Sequence, residues 1–223
     1  MPKFNTDDDF FTRDTQVFYC DMQQCSITDQ GLFLLLNTED CQRYVSFKKV
    51  SRKQQFGLAR YLIKQVLLKY YDIPVEHNYT FNHYCEWVVT DTHDKFYISI
   101  SHSKNIVAVA ISVVEQKIGL DVEFIKDRNY SELINHFCSE PEKRLFKDSE
   151  DKRNTFYQLW TAKEAYIKAY QLTLIDITKI DLPSLYDKEN QWHIQKHFLE
   201  EEKYCLSLLS HSSLNISPQK VLF

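Results

Sequence analysis

The sequence predicts an α+β protein built from two similar lobes, residues 1–114 and 115–223. The first observation is the order of the predicted elements: a helix is followed by strands, and then helices are followed by strands again. The second is the length of 223 residues, which fits two units of about a hundred residues each. The third is a composition of 43% hydrophobic and 14% aromatic residues with only 3 glycines and 5 prolines, which provides a core and argues against a long linker.

In the first lobe, the sequence predicts a helix from Arg52 to Tyr71. Apolar residues recur there at helical spacing, and the pattern ends before Ile73-Pro74. Three β-branched or aromatic runs follow and predict an antiparallel meander of strands at 95–101, 105–114 and 117–123. In the second lobe, helical spacing returns near 131–138, 141–146 and 155–170. Short alternating runs between 177 and 209 predict another small sheet.

Composition also excludes several classes of protein. A formal charge of −4 argues against nucleic-acid binding, which needs a basic excess. No run approaches the roughly 18 apolar residues of a membrane span, and the acidic start Met1–Asp9 does not resemble a signal peptide, so we expect a cytoplasmic protein without a membrane partner. The six cysteines include no C-x-x-C pair, which favours reduced thiols over a zinc site or a disulfide framework.

Asp121 and Glu123 lie two residues apart in a predicted strand, so both carboxylates point to the same face. Two anions at about 7 Å on a strand suit Mg²⁺, which binds one or two carboxylates together with phosphate. Gly119, on the same face, would let a ligand approach the backbone. A solvated amphipathic strand gives the same alternation.

The helix at 155–170 carries Lys163 inside its apolar stripe and Glu164 with Lys168 on the flank of that stripe. Lys163 either covers the core with its stem or directs its ammonium at phosphate. Glu164 and Lys168, four residues apart, are either an ordinary helix pair or a third carboxylate with a phosphate-neutralising lysine.

Two further features could bind phosphate. His102, between Ser101 and Ser103 at the end of a strand, can donate hydrogen bonds to phosphate oxygens, although a solvated turn histidine is the simpler interpretation. Basic residues also line the helix that begins near Arg52, either as a solvated face or as a polyanion site: Lys53, Arg60 and Lys64, with Arg52 at the edge.

Three motifs, taken in order, resemble the signature of the 4'-phosphopantetheinyl transferases, in particular the monomeric surfactin-type branch. They are S-I-S-H-S at 99–103, I-G-L-D-V-E at 118–123 and L-W-T-A-K-E-A-Y-I-K-A-Y at 159–170. The resemblance implies a pseudo-two-fold pair of α+β lobes, with coenzyme A and Mg²⁺, or Mn²⁺ in its place, in the cleft between them. It also implies transfer of the phosphopantetheine arm to a carrier-protein serine with release of 3',5'-ADP.

The resemblance assigns roles to individual residues. It implies that Mg²⁺ is held by Asp121, Glu123 and Glu164, and that Lys163 and Lys168 neighbour the phosphates. The nucleotide phosphates would be contacted by Ser101, His102, Arg52, Lys53 and Arg60. Glu142 matches an acidic position of the family, so the general base is either Glu164 or Glu142.

The chain departs from the family pattern at two places. The stretch 82–87 lacks the glycine and proline that precede the S-H-S motif in the family, so adenine contacts are not assigned. Tyr170–Leu174 lacks the usual glycines, which predicts an exit loop of different shape. Two other functions stay open: an inactive coenzyme A-binding regulator, and a metal-dependent phosphohydrolase. The motifs do not identify the carrier protein, whether of fatty-acid, polyketide or peptide synthesis.

Overall fold

The computed structural model describes residues 15–77, 79–81, 86–89, 94–114, 117–185, 192–211 and 215–223. The strands are β1 Thr15–Asp21, β2 Tyr79–Phe81, β3 Glu86–Val89, β4 Lys95–Ser103, β5 Ile106–Ser112, β6 Gly119–Phe124, β7 His193–Leu199, β8 Tyr204–Ser210 and β9 Gln219–Lys220. The α-helices are α1 Asp29–Leu34, α2 Thr38–Ser46, α3 Val50–Tyr71, α4 Tyr130–Phe137, α5 Glu140–Asp148, α6 Lys152–Tyr170 and α7 Leu182–Leu185, with 3₁₀ turns at Met22–Gln24 and Leu174–Lys179.

Contacts divide the chain into two compact units. The first comprises the residues up to Gln116 together with Pro218–Phe223, and the second comprises Lys117–Ser217. The last six residues therefore pack with the first unit, whereas the sequence suggested that everything after residue 114 belongs to the second lobe. They return because β9 pairs in parallel with β1, an association of distant segments that local sequence patterns do not encode.

The first unit is a six-stranded sheet in the order β2-β3-β4-β5-β1-β9. Every residue of β5 is buried, and α3 packs its apolar residues, among them Leu62 and Val66, against Val107 and Val109. This packing sets the start of α3, and with it Arg52, close to the end of β4 that carries His102.

The second unit is a three-stranded antiparallel sheet in the order β6-β8-β7. Helix α6 contacts both β6 and β8, and its buried residues, including Phe156, Leu159 and Ala162, share a cluster with Phe137 of α4 and Phe146 of α5. The sheet and α6 thus position the acidic motif at 118–123 and the motif at 159–170.

The α+β class is confirmed, and so are the long helix of the first lobe, the three helices of the second and its small sheet. The predicted meander is wrong in its third member, because β4 and β5 pair with each other but β6 pairs with β8 in the other sheet. Alternation of apolar residues specifies the faces of a strand, not its partner. The described sheets have six strands and three, and the pseudo-symmetry of the lobes stays a prediction.

The acidic start Met1–Asp9 and residues 82–85 of the stretch expected near adenine lie outside the described residues. Across the described part of the chain, no helix combines the length and apolar character needed to cross a membrane.

Candidate active site

Helix α6 lies on the β6 strand at close backbone contact, and Gly119 permits it. A Cβ placed at Gly119 would overlap the carbonyl oxygen of Ala165 and lie 3.1 Å from the Cβ of Ala169. The sequence suggested that this glycine admits a ligand; in the structure it admits the backbone of α6. This contact determines how closely β6, which carries Asp121 and Glu123, packs against α6, which carries Glu164 and Lys168.

Gly119→Ala is therefore expected to destabilise the second unit by about 3 kcal/mol or more, since backbone atoms cannot move aside as side chains do. The measurement is the free energy of unfolding in urea. Gly31→Ala is the matched control, because its new Cβ meets only side-chain atoms, the nearest being Cγ1 of Ile27 at 3.0 Å. Equal stability of the Gly119→Ala variant and the parent would contradict the assigned contact.

Asp121 is buried at 5% exposure and is ion-paired with Lys168. The Lys168 Nζ donates to Asp121 Oδ1 at 2.8 Å and to the Leu120 carbonyl oxygen at 3.0 Å. Asp121 faces Ser207 and Glu123 faces Cys205 across the β6–β8 pair, so the two carboxylates occupy alternate positions on one face, as predicted. Lys168 thus binds β6 to α6 through the acidic motif itself.

Glu164 is half-buried on α6 and interacts electrostatically with Asp121, Glu123 and Lys168. Its burial and the negative charges of Asp121 and Glu123 raise the pKa of the Glu164 carboxyl above its usual range, while Lys168 acts in the opposite direction. Asp121, Glu123 and Lys168 are therefore close enough to affect the ionisation of Glu164, which is typical of a functional site.

Ionised Glu164 should cost stability. Because its folded-state pKa is raised, its contribution favours folding below the ordinary glutamate pKa and is lost as pH rises through the folded value. Glu164→Gln should consequently raise the melting temperature at neutral pH, without added divalent ions, and the gain should vanish in acid. Glu150→Gln, an exposed carboxylate on the preceding loop, is the control, and a lower melting temperature for Glu164→Gln at pH 7 would contradict the assignment.

Among the described residues, no group of three or more His, Cys, Asp or Glu side chains converges as a ready metal site. The donor set still fits Mg²⁺ by its chemistry, because this ion takes one or two carboxylates and completes its shell with water and phosphate oxygens. Burial is the largest cause of the raised Glu164 pKa, and the repulsion from Asp121 and Glu123 that adds to it is the kind that a cation relieves.

Lys163 and Glu142 do not join this group. Both side chains are 0% exposed, and Lys163 Nζ lies 2.6 Å from Glu142 Oε2. The same ammonium donates to the carbonyl oxygens of Phe137 at 2.6 Å and Ile177 at 3.2 Å. The expectation that Lys163 contacts phosphate and that Glu142 is a possible base is corrected here: with its three donors engaged and no exposed surface, this pair connects α4, α5, α6 and the following 3₁₀ turn.

The carboxylate of Glu142 is further held by backbone donors. Its Oε2 accepts from the Ser139 amide at 2.8 Å and its Oε1 from the Leu182 amide at 2.9 Å. Ser139 and Glu142 form a capping box at the start of α5. The S-x-x-E spacing with Pro141 in the first turn was the sequence signal that could have identified this structural role.

In the first unit, the structure brings His102 and Arg52 together. Arg52 Nη1 lies 3.0 Å from Nδ1 and 2.7 Å from Nε2 of His102. A guanidinium only donates, so the contact uses a neutral imidazole nitrogen as acceptor. Ser101, its neighbour in β4, is buried at 4% exposure, whereas Arg52 is exposed and available to an anion.

The remaining basic residues of α3 differ from the expected phosphate-binding stripe. Arg60 is buried, with its Nε 3.0 Å from Asp40 Oδ2 and its guanidinium 4.4 Å from the centre of the Phe56 ring. Lys64 donates to the Val75 carbonyl oxygen at 2.6 Å, and Lys53 lies 4.6 Å from the Tyr44 ring centre. Arg60 thus fastens α2 to α3, which corrects its assignment to coenzyme A.

Helix α6 ends in a left-handed residue although the chain lacks the glycines of the family pattern there. Gln171 adopts a left-handed conformation with φ 53° and ψ 34°, and the Leu172 amide donates to the Ile167 carbonyl oxygen at 2.9 Å. A left-handed residue is the usual helix ending, for which glycine carries the least strain. The missing glycine therefore does not remove the helix-terminating conformation here; glutamine adopts it.

Residues 117–216 match the family model described as the 4'-phosphopantetheinyl transferase superfamily. This range contains β6 and α6, and with them Asp121, Glu123 and Glu164. This match covers slightly less than half of the chain and confirms the resemblance to that family drawn from the motifs.

Individual relatives agree with the family. The chain is 32% identical over 150 residues to the 4'-phosphopantetheinyl transferase gsp of Aneurinibacillus migulanus, covering 63% of this chain and 60% of that one. It is 25% identical over 146 residues to the 4'-phosphopantetheinyl transferase HetI of a Nostoc species, covering 63% and 61%. A Haemophilus influenzae protein, provisionally given the same enzyme name, is 28% identical over 114 residues, covering 48% and 42%. The chain thus spans less than two thirds of the length of each of these relatives.

Proposed function

We propose that this chain transfers the 4'-phosphopantetheine arm of coenzyme A to a serine hydroxyl of an acyl or peptidyl carrier protein and releases 3',5'-ADP. The observation that carries the proposal is the position of Asp121, Glu123, Glu164 and Lys168 within the family-matching range, on one strand and one helix in close contact. The family match and the clustered charged residues support the same class of reaction independently of the names of the relatives.

The proposed reaction requires a base for the serine proton and positive charge beside the pyrophosphate. Glu164 is our candidate base, because a raised pKa improves a carboxylate as a proton acceptor. Lys168, paired with Asp121, would supply one positive charge. The serine oxygen forms a bond to the β-phosphorus, its proton passes to Glu164, and the bond to the 3',5'-ADP oxygen breaks.

Asp121, Glu123 and Glu164 are the residues that would hold Mg²⁺, or Mn²⁺ in its place. When bound, such an ion neutralises phosphate charge in phosphoryl transfer. The carboxylates themselves are held by the fold: Asp121 by Lys168, and both strand positions by the pairing of β6 with β8.

For the nucleotide end of coenzyme A, we propose Arg52 and His102 as the phosphate-contacting residues, with Ser101 and Lys53 beside them in sequence. The contact between the Arg52 guanidinium and the His102 ring supports this pairing, because an anion could accept from both side chains once the ring is protonated. We also propose a cytoplasmic monomer whose lobes divide near residue 114.

The deciding experiment is incubation of the protein with coenzyme A, Mg²⁺ and a panel of carrier domains, followed by intact-mass spectrometry. We expect the mass of phosphopantetheine on at least one carrier, absent when its acceptor serine is replaced by alanine. Coenzyme A binding without transfer to any carrier would instead indicate an inactive regulator. Hydrolysis of coenzyme A without carrier modification would indicate a phosphohydrolase, and either result would overturn the proposal.

A further inference from the structure

A small polar network lies inside the second unit, between α6 and β8. Its central atom is the hydroxyl oxygen of Thr161, which donates to the Tyr157 carbonyl oxygen at 2.8 Å. The same oxygen lies 2.7 Å from Ser207 Oγ and 3.6 Å from Cys205 Sγ. Thr161, Ser207 and Cys205 are each 0% exposed. The network is therefore closed to solvent, and it joins one turn of the helix to two residues of the strand.

The direction of each hydrogen bond in this network follows from counting donors. A threonine hydroxyl has one proton and two lone pairs. Because Thr161 gives its proton to the carbonyl oxygen of Tyr157, both Ser207 and Cys205 donate to Thr161. All three hydrogen-bonding positions of the Thr161 hydroxyl are then occupied. A fully satisfied buried network holds its members in one arrangement.

The two strand residues of the network lie beside the acidic motif. Across the β6–β8 pair, Ser207 is opposite Asp121 and Cys205 is opposite Glu123. Side chains that are opposite each other in neighbouring antiparallel strands point to the same face, with Cβ atoms about 5 Å apart. The hydroxyl of Thr161 therefore contacts the immediate neighbour of each carboxylate on the sheet.

On the helix, Thr161 shares a face with the other residues of the site. Glu164 follows it by three residues and Lys168 by seven, and these spacings lie on one side of an α-helix. Lys168 bonds this side of α6 to β6 through Asp121 and the Leu120 carbonyl oxygen. Glu164 thus lies between two points at which α6 is bonded to the sheet, at Thr161 before it and at Lys168 after it.

Packing alone does not explain the two hydroxyls. Threonine is a weaker helix former than alanine or leucine, and replacing both members of a buried hydrogen bond by apolar groups of the same shape can leave stability nearly unchanged. A hydrogen bond has a preferred length and direction, whereas apolar contacts permit small shifts. Side chains that act together on one ligand need to be held to within about 0.5 Å. A directional bond at this point therefore suits a site more than a core.

We propose that Thr161 is a positioning residue for the divalent ion: by bonding α6 to β8, it fixes the distance of Glu164 from Asp121 and Glu123. The inference rests on the proposed function, because the ion is the one that the transfer reaction would use. Without the hydroxyl, α6 can shift on the sheet, so the ion should bind more weakly although all three carboxylates remain.

The test compares two substitutions that separate the shape of Thr161 from its hydroxyl. Thr161→Val keeps the shape and removes the hydroxyl, whereas Thr161→Ser keeps the hydroxyl and removes a methyl group. The measurement is the dissociation constant for Mn²⁺, from the electron paramagnetic resonance signal of the free ion, with and without coenzyme A. We expect Thr161→Val to raise this constant by about tenfold, the usual effect of losing a group that orients a metal ligand. Thr161→Ser should stay close to the parent, whereas a role in packing alone predicts the opposite order.

Thr155→Val is the matched control on the same helix. The Thr155 hydroxyl also contacts a serine hydroxyl, with Ser149 Oγ at 2.6 Å, but this contact lies at the start of α6, more than two turns before Glu164. We expect Thr155→Val to leave the Mn²⁺ dissociation constant unchanged. An equal loss in Thr155→Val and Thr161→Val would show that any loosening of α6 weakens the site, and it would contradict the proposal.

A double variant separates positioning from stability. Thr161→Val leaves the Ser207 hydroxyl buried without this acceptor, which should lower the free energy of unfolding. Adding Ser207→Ala removes that hydroxyl and should restore most of the stability, while the Mn²⁺ dissociation constant stays raised. The double variant also carries the test if Thr161→Val does not fold. Recovery of ion binding together with stability would show that the hydroxyls have only a structural role, and the proposal would be wrong.

The transfer assay distinguishes failure of this inference from failure of the proposed function. Carrier modification by the parent, together with unchanged Mn²⁺ binding by Thr161→Val, would overturn the inference alone. Mn²⁺ binding that depends on the Thr161 hydroxyl, without modification of any carrier, would overturn the proposed function and support the positioning role. A parent that binds no Mn²⁺, with or without coenzyme A, would overturn the role assigned to Thr161.

Discussion

Replacing Lys163 by methionine is expected to lower the free energy of unfolding by about 3–5 kcal/mol, the usual cost of removing one member of a buried ion pair. Methionine keeps much of the packing volume but leaves the Glu142 carboxylate in the core without its counter-charge. The carbonyl oxygens of Phe137 and Ile177 also lose a donor. Urea unfolding at neutral pH measures the change.

Turnover distinguishes this structural role from a contact with phosphate. Because Lys163 has no exposed surface, kcat of the folded variant, measured well below its melting temperature, should stay close to that of the parent. A collapse of kcat at unchanged stability would show that the ammonium faces the substrate and would contradict the buried pair.

Two further variants serve as controls for Lys163→Met. Lys179→Met makes the same substitution in a lysine that is 75% exposed and paired with Asp176, where the expected change is within about 0.5 kcal/mol. Adding Glu142→Gln to Lys163→Met should recover part of the lost stability, because the buried charge is removed while the amide oxygen still accepts from one of the two backbone donors. If Lys163→Met does not fold at all, the double variant carries the comparison.

The second large effect concerns turnover. Asp121→Asn and Glu123→Gln should each reduce kcat by about a hundredfold or more, the size of effect usual when a charged group that stabilises a phosphoryl-transfer site is removed. Both changes preserve shape and remove one negative charge from the proposed ion-binding face. The assay is the rate of carrier modification with saturating coenzyme A and a titration of Mg²⁺.

The stability of the same variants gives an independent check. Asp121→Asn should also lower the melting temperature, since it removes the ion pair with Lys168 in a buried position. Glu150→Gln is the remote carboxylate control and should match the parent in both measurements. Full turnover by both variants in the presence of EDTA would refute the proposed role of the acidic face.

Sequence periodicity correctly predicted those features that depend only on residues close together in the chain. The helical spacing of apolar residues located α3 and α6, and strand alternation placed Asp121 and Glu123 on one face, because both periods follow from backbone geometry alone. The order of the three motifs gave the resemblance to the family, and the family match to residues 117–216 confirms that resemblance.

Position along a helix did not determine what each charged side chain contacts. On α6, Lys163 and Lys168 are five residues apart, yet the first is enclosed by a capping-box glutamate and two carbonyl oxygens while the second reaches the strand. On α3, Arg60 has the spacing of a basic stripe but is held by Asp40 of α2. The partners in these contacts come from other elements, so periodicity within one helix contains no information about them.

By itself, the amino-acid sequence determined the α+β class, the long helices, the shared face of two carboxylates and the resemblance to the family. Only the tertiary structure decided that β6 leaves the meander to pair with β8, that Gly119 admits a helix backbone rather than a ligand, and that Lys163 is buried. The reason is physical: helix and strand periods arise from neighbouring residues, whereas strand partners, close backbone approaches and buried ion pairs depend on segments that meet only after the chain has folded.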